Sequence, residues 1–151
     1  MSKRLMLVVA VVLMVGMVVG ATMAVGQGSS DDSLHAALTA SGEKPAGDTN
    51  GKGSAGVVVD GRRVCLAVAV TDLSTVAAFH IHKGARGVSG PVVVDPKYPG
   101  GGNGSALTLG RCVTVDQALA SDIKRNPANY YVNVHTSQFA AGAIRGQLSR
   151  R

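Results

Sequence analysis

Two of the four histidines in this chain, His80 and His82, stand one residue apart in the stretch AAFHIHKGARGVSGPVVVD. A third, His135, lies in the stretch YYVNVHT. Alternate side chains of a β-strand face the same side of a sheet, so His80 and His82 share a face if their stretch is a strand. Three imidazole nitrogens suit copper or zinc and leave one coordination position open. If the two strands are neighbours, this spacing predicts a three-histidine metal site.

The same histidines have a second interpretation. Imidazole nitrogens form hydrogen bonds with backbone carbonyls, and such bonds would hold the glycine-rich segment of residues 84–90 in place. No carboxylate stands in an obvious ligand position, and Asp95 is the best candidate for a residue that supports a metal ligand from behind. His35 stands apart in an earlier stretch and requires no special role. A metal site and a loop-fixing role both stay open at this point.

The alternation of apolar residues predicts which faces the histidines occupy. Phe79 and Ile81 fall on the side opposite His80 and His82 and are expected in the core, whereas Val76 is expected on the histidine side. In YYVNVHT the two valines face the core and leave Asn133 on the other side with the third histidine. The histidines are therefore expected on an outward or rim-facing surface.

The elements around these residues are predicted to be short strands. Apolar runs or alternating patterns lie at residues 34–39, 56–70, 76–82, 90–95, 129–136 and 142–148. Asp60 and Gly61 separate two apolar runs, which is typical of a hairpin with a type I′ turn. Residues 41–56 and 98–104 are rich in glycine and are predicted to be loops.

The stretch TVDQALASDIKRNP predicts one short helix. Thr114 with Gln117 fits a capping box, or Asp116 caps the helix directly, and Pro127 ends it. Short strands with glycine-rich turns and a single helix indicate an all-β domain. The expected architecture is an antiparallel, immunoglobulin-like Greek-key sandwich or barrel.

The N-terminal segment differs in composition from this domain. Lys3 and Arg4 precede an uncharged apolar run and then small residues, the pattern of a secretory signal peptide. The apolar run is also close to the length that spans a bilayer, so residues 1–26 are predicted to be a signal peptide or an N-terminal membrane anchor. Residues 27–33 are a flexible linker and residues 34–149 the β-domain. Either way, the domain is expected outside the cytoplasm.

Cys65 and Cys112 are the two cysteines of the chain. Outside the cytoplasm such a pair closes into a disulfide, and the long loop between them would make that bond worth about 4 kcal/mol. The alternative is two buried thiols. The formal net charge is +6, but the cations are scattered and no aromatic residues interleave with them, so nucleic-acid binding is not expected.

Two long blocks of the sequence resemble the CHRD (chordin) domain, in the variant with a cysteine pair that exported bacterial proteins carry. They are AAFHIHKGARGVSGPVVV and YYVNVHTSQFAAGAIRGQL, and the resemblance extends upstream through LTASGEKP and GKGSAGVVVD. One difference is that Ala140 and Ala141 stand where a proline is common in the family. Asn133, Arg145 and Gln147 belong to the motif and are expected to be structural, with Arg145 bonded to a loop carboxylate.

The resemblance implies an immunoglobulin-like β-barrel with distant similarity to the copper/zinc superoxide dismutases. In that pattern His80 and His82 resemble the paired copper ligands, and His135 stands in for a later copper histidine. The bridging histidine and the zinc-binding loop have no counterparts in this sequence. Dismutase activity is therefore poorly supported.

These observations lead to two expectations of different kinds. The first is an exported, non-catalytic binding or structural module at the cell surface or outside the cell, without catalytic residues. Its partner is an unidentified protein or cell-surface ligand, and it contacts a membrane only through an uncleaved N-terminal segment. The alternative is a copper- or zinc-binding protein, with or without redox activity, that uses His80, His82 and His135.

Overall fold

The structure, a computed structural model, describes residues 33–150. Its elements are the strands β1 (Ser33–Thr39), β2 (Lys52–Asp60), β3 (Arg63–Thr71), β4 (Val76–Lys83), β5 (Val92–Val94), β6 (Ala106–Thr114), β7 (Tyr130–Thr136) and β8 (Ile144–Gln147), the helix α1 (Gln117–Arg125), and 3₁₀ turns at Ala40–Gly42 and Pro127–Asn129.

All eight strands belong to one antiparallel sheet, in the order β5-β4-β7-β8-β1-β2-β3-β6. The sheet curls into a nearly closed barrel, with β5 and β6 at its two edges. The predicted all-β antiparallel fold with one short helix is therefore confirmed. This order places β7 between β4 and β8, although β4 lies far from the other two strands in the sequence.

The core fills the inside of the barrel because the strands alternate between buried and exposed residues. In the β2–β3 hairpin, Val57 pairs with Leu66 and Val59 with Val64, and all four side chains are buried. The helix α1 adds Ile123 to the same core. The other large, fully buried side chains are Leu34, Leu38, Val68, Phe79, Ile81, Tyr130, Ile144 and Leu148.

The hairpin turn differs from the predicted type. Asp60 pairs with Arg63, so the ladder continues through Asp60 and the two turn residues are Gly61 and Arg62. Within residues 33–150, Gly61 has a positive φ of 54° and Arg62 does not. One positive φ at the first turn position fits a type II′ turn, whereas type I′ requires two. The strand β2 also begins at Lys52, inside the segment predicted to be a loop.

The strand β6 was not predicted. It is an edge strand that pairs with β3, and its apolar residues Leu107, Leu109 and Val113 are only half-buried. Because this edge strand buries so little, its sequence lacks the strong alternation of apolar and polar residues that identifies the other strands. It carries Cys112 directly opposite Cys65 on β3, and the two form the predicted disulfide with an S–S distance of 2.03 Å.

The face assigned to Val76 was wrong. A bulge between Val76 and Ala78 shifts the register of β4 against β7, so Val76 points into the core and is 0% exposed. One extra residue reverses the alternation on one side of the bulge. Phe79 and Ile81, beyond the bulge, are buried as predicted.

The helix α1 has the predicted extent, but the predicted capping box is absent. Thr114 ends β6 and Asp116 is the N-cap residue, whose side chain makes no capping hydrogen bond. Ala120 and Ile123 are buried, so packing against the barrel holds this short helix.

The predicted signal peptide or anchor at residues 1–26 lies outside the described residues. The same holds for the predicted linker 27–33, apart from Ser33, which begins β1. Within residues 33–150, no helix is long and apolar enough to cross a membrane.

Candidate metal centre

The three histidines come together on the outer face of β4 and β7. These strands pair with His80 opposite Asn133 and His82 opposite Tyr131. The bulge in β4 places Ala78, a small residue, opposite His135. His135 therefore lies diagonally across from His80, within reach of both histidines of β4.

The rings are close enough for one ion to bind all three. One ring nitrogen from each of His80, His82 and His135 lies within 4.8 Å of the other two. The ring centroids are 5.0 Å apart for His80 and His135, 5.8 Å for His80 and His82, and 6.0 Å for His82 and His135. Ligand bonds of about 2 Å hold tetrahedral ligand atoms roughly 3.3 Å apart, so the three rings would turn inward by about an ångström or less to bind one ion.

Backbone carbonyls orient two of the rings. His82 Nδ1 donates to the carbonyl oxygen of Gly90 at 2.9 Å, and His135 Nδ1 donates to that of Ala140 at 3.0 Å. Because a carbonyl oxygen only accepts, each Nδ1 carries the proton and each Nε2 keeps a free lone pair. Loop fixing and metal binding thus use different nitrogens of the same ring and do not exclude each other.

The remaining nitrogens are buried without partners. His80 Nδ1, His82 Nε2 and His135 Nε2 make no hydrogen bond with any residue of the described part of the chain. Buried polar atoms are paired in the large majority of cases, so three unpaired nitrogens in one cluster call for an explanation. A bound cation would accept all three lone pairs.

Asp95 stands behind His80. The Nε2 atom of His80 is 3.7 Å from Asp95 Oδ1, and Lys97 Nζ bonds the other carboxylate oxygen at 2.6 Å. The hydrogen bond from the Lys97 side chain is the main reason why the pKa of Asp95 is lowered. Asp95 therefore stays ionised beside Nε2 of His80, whereas Nδ1 is the nitrogen of this ring without a hydrogen-bond partner in the described structure. The sequence had indicated Asp95 for this position.

Burial keeps all three imidazoles neutral. Loss of hydration, together with a smaller effect of the charge of His135, lowers the pKa of His80 to about 4. Burial likewise lowers the pKa of His82 and of His135, against the opposing effect of their carbonyl bonds. Neutral imidazole is the form that binds metal ions.

Tyr131 is a part of the site that the sequence did not single out. Its ring stacks on His82, with centroids 4.9 Å apart and planes inclined by 15°. Its hydroxyl accepts a hydrogen bond from the Gly90 amide at 3.1 Å. The alternation in YYVNVHT places Tyr131 on the histidine face, but only the strand register sets it against His82.

The motif residues on β8 hold the loop of residues 84–90 over this face. Gln147 Nε2 donates to the carbonyls of Gly84 at 2.8 Å and Ala128 at 2.6 Å. Arg145 Nη1 donates to the carbonyl of Val88 at 3.1 Å. Since the same loop supplies the Gly90 carbonyl that orients His82, these residues position the site indirectly.

Glu43 is the loop carboxylate near Arg145. Its Oε2 lies 3.8 Å from Arg145 Nε, and its Oε1 accepts a hydrogen bond from Asn133 Nδ2 at 3.0 Å. Burial raises the pKa of Glu43 to about 7, and the attraction of Arg145 only partly offsets this. Nothing in the glycine-rich stretch around Glu43 marks it as a buried residue, because the contact depends on folding that loop back onto β7 and β8.

Comparison with known proteins identifies one family. The model of the CHRD domain matches residues 34–148, which span nearly all of the described structure. No curated protein and no solved structure matches the chain. The resemblance predicted from the two sequence blocks is therefore confirmed at the level of the family, and the more distant similarity to copper/zinc superoxide dismutases stays a prediction.

Proposed function

Since the chain belongs to the CHRD domain family, we propose that it is an exported, non-catalytic module that binds one copper or zinc ion through His80, His82 and His135. The observation that carries the proposal is the cluster itself. Each of the three histidines places a ring nitrogen within 4.8 Å of the other two, and each has one buried ring nitrogen without a hydrogen-bond partner among the described residues.

The chemistry of the donor set favours these metals. Three neutral imidazoles suit copper and zinc, whereas calcium and magnesium prefer oxygen ligands. Metal-binding histidines usually have their second ring nitrogen hydrogen-bonded to a carbonyl or a carboxylate. Here Nδ1 of His82 and of His135 donates to a backbone carbonyl, and the Asp95 carboxylate lies near Nε2 of His80. Three protein ligands leave a position for water or a ligand of the partner.

The role outside the cytoplasm rests on two features of the sequence. Residues 1–26 have the charge and hydropathy pattern of a secretory signal or anchor, and a disulfide between Cys65 and Cys112 suits an oxidising compartment. The partner of this module is an unidentified protein or cell-surface ligand. Binding, rather than catalysis, is proposed because the sequence has no G-x-S-x-G nucleophile elbow and has no counterparts of the bridging histidine and zinc-binding loop of the dismutases.

Metal analysis tests the proposal. The protein is produced from the full chain, stripped of metal, loaded separately with copper and with zinc, and freed of excess ion before the metal content is measured. We expect one ion per chain for the wild type and almost none for the triple variant His80→Ala, His82→Ala, His135→Ala. The variant His35→Ala is the control, because His35 lies on β1 and bonds Ser33 instead of the cluster.

The alternative is that the histidines only hold the loops. In that case the wild type, the triple variant and the His35→Ala variant would retain the same small amount of metal. Circular dichroism of each variant establishes that a loss of metal does not reflect unfolding.

A further inference from the structure

A cavity lies over β1 and β8, which carry none of the three clustered histidines. Its volume is about 360 Å³, and the loop of residues 84–90 forms one side of it. The lining residues with polar side chains are Thr39, Ser41, Arg86, Arg145, Gln147 and Ser149. This cavity, called here the arginine cavity, is lined by none of the three clustered histidines, although it shares Arg145 and the loop of residues 84–90 with the surroundings of the metal centre.

The arginine cavity is positively charged. Arg86 and Arg145 line it, and no carboxylate among residues 33–150 does. Arg86 is exposed and has no hydrogen bond or ion pair with the rest of the described chain. A cavity that is lined by two guanidinium groups and by no carboxylate favours a negatively charged ligand.

Arg145 is only partly satisfied by the protein. Its Nη1 donates to the Val88 carbonyl, and its Nε lies 3.8 Å from Glu43 Oε2, beyond hydrogen-bond distance. Arg145 is 6% exposed, and its guanidinium lies over the Tyr131 ring, 4.7 Å from the ring centroid. Its Nη2 is buried and has no hydrogen-bond partner in the described structure. A buried charged donor without an acceptor is costly, so a turn of the guanidinium that brings this donor to an acceptor in the cavity would be favourable.

The surroundings of Arg145 do not cancel its charge in full. Glu43 is the carboxylate beside it, and burial raises the pKa of Glu43 to about 7, so part of the population is protonated at neutral pH. Thr39 and Ser41 also line the cavity, with their hydroxyls 2.9 Å apart, and hydroxyls can donate to oxyanions.

We infer that the arginine cavity binds the oxyanion group of a ligand, a carboxylate, phosphate or sulfate, between Arg86 and Arg145. This inference does not depend on a metal ion in the histidine cluster. It gives the module a second point of attachment, suited to an acidic group on a small molecule or on a larger partner.

Anion titrations followed by nuclear magnetic resonance test the inference. Acetate, inorganic phosphate and sulfate are added separately to the protein from the full chain, with chloride holding the ionic strength constant. We expect saturable shifts of the Arg145 Nε–H signal and of the Gly42 and Gly87 amides with at least one anion. A response to acetate alone assigns a carboxylate ligand, and a response to phosphate or sulfate assigns a tetrahedral one.

Two arginine variants provide the comparison. Arg86→Gln removes one side of the cavity from an exposed position and is expected to weaken anion binding about tenfold, the size of one charged hydrogen bond. Arg111→Gln on β6 removes the same charge from the other edge of the sheet and is expected to leave binding within about twofold of the wild type.

The inference is overturned if none of the three anions gives saturable shifts, or if both variants weaken binding equally, because that would reflect net charge alone. The metal content of Arg86→Gln separates this result from the metal proposal. We expect this variant to retain the metal of the wild type, whichever way the anion titration turns out.

Discussion

The imidazole rings of His80 and His135 lie 5.0 Å apart, centroid to centroid, although they belong to different strands. Each ring of the cluster has a buried nitrogen that has no hydrogen-bond partner within residues 33–150, which leaves three unsatisfied nitrogens close together. The charge of His135 is also among the causes that lower the pKa of His80. The cluster is therefore poorly suited to protons and well suited to a metal ion.

The first prediction is that metal stabilises the fold. An ion that binds only the folded chain raises the free energy of unfolding by about 2.7 kcal/mol when its free concentration is a hundred times the dissociation constant. We expect this gain for the wild type with zinc, measured by urea unfolding in the presence and absence of the ion. The triple histidine variant should show no gain, and His35→Ala should show the gain of the wild type.

The second prediction concerns the residue behind His80. Asp95→Asn keeps the size of the side chain but removes the charge that faces His80 Nε2 at 3.7 Å. Loss of such a support typically lowers metal affinity by about 10-fold or more, so we expect a weaker site that still fills at high zinc concentration. Competition with a chelator of known affinity measures the change. Asp60→Asn, an exposed residue of the β2–β3 hairpin, should leave the affinity unchanged.

The third prediction is a pH dependence of stability that arises from Glu43. Its pKa rises from 4.5 to about 7 on folding because burial disfavours the charged form. The folded chain therefore holds a proton that the unfolded chain releases, and the unfolding free energy falls as pH rises through this window. The stabilisation is fully present below about pH 4.5 and lost above about pH 7.

The variant Glu43→Gln isolates this effect, since it cannot titrate. We expect the difference in unfolding free energy, wild type minus Glu43→Gln, to decrease by about 3 kcal/mol between pH 4.5 and pH 7. Urea unfolding at several pH values in this range gives the difference directly. A constant or rising difference would mean that Arg145 keeps the Glu43 carboxylate ionised in the folded state.

The fourth prediction concerns the disulfide. Cys65 and Cys112 are 47 residues apart in the chain, and a cross-link over a loop of this length is worth about 4 kcal/mol in the chain-entropy model. The double variant Cys65→Ser, Cys112→Ser should lose about this much unfolding free energy. Its metal content should equal that of the wild type, because β3 and β6 do not border β4 or β7. An unchanged stability would indicate that the cross-link constrains little of the unfolded chain.

Much of this molecule was predictable from local patterns. The alternation of valines with polar residues in YYVNVHT correctly placed His135 and Asn133 on the side away from the hydrophobic core, and the motif FHIH did the same for His80 and His82. The expected exposure of that side was wrong for His82 and Asn133, which are buried. The family was predictable because its two blocks are long and specific. The position of Val76 was not, because the bulge that turns it inward depends on how β4 fits against β7.

The edge strand β6 and the buried Glu43 show the limits of local patterns more clearly. The burial of a side chain in a glycine-rich loop, or of one face of an edge strand, depends on what packs against it from elsewhere in the chain. Glu43 contacts Asn133 and Arg145, which lie about ninety residues or more further along. No periodicity within a short window carries that information.

The sequence by itself determined the side of each strand on which the histidines stand, since side-chain alternation is a property of the local backbone. Only the tertiary structure decided that β4 and β7 are neighbours and in which register they pair. It also decided which ring nitrogens the carbonyls of Gly90 and Ala140 occupy and which are left for an ion. Register and loop packing are set by the closure of the whole barrel, and a metal site depends on both.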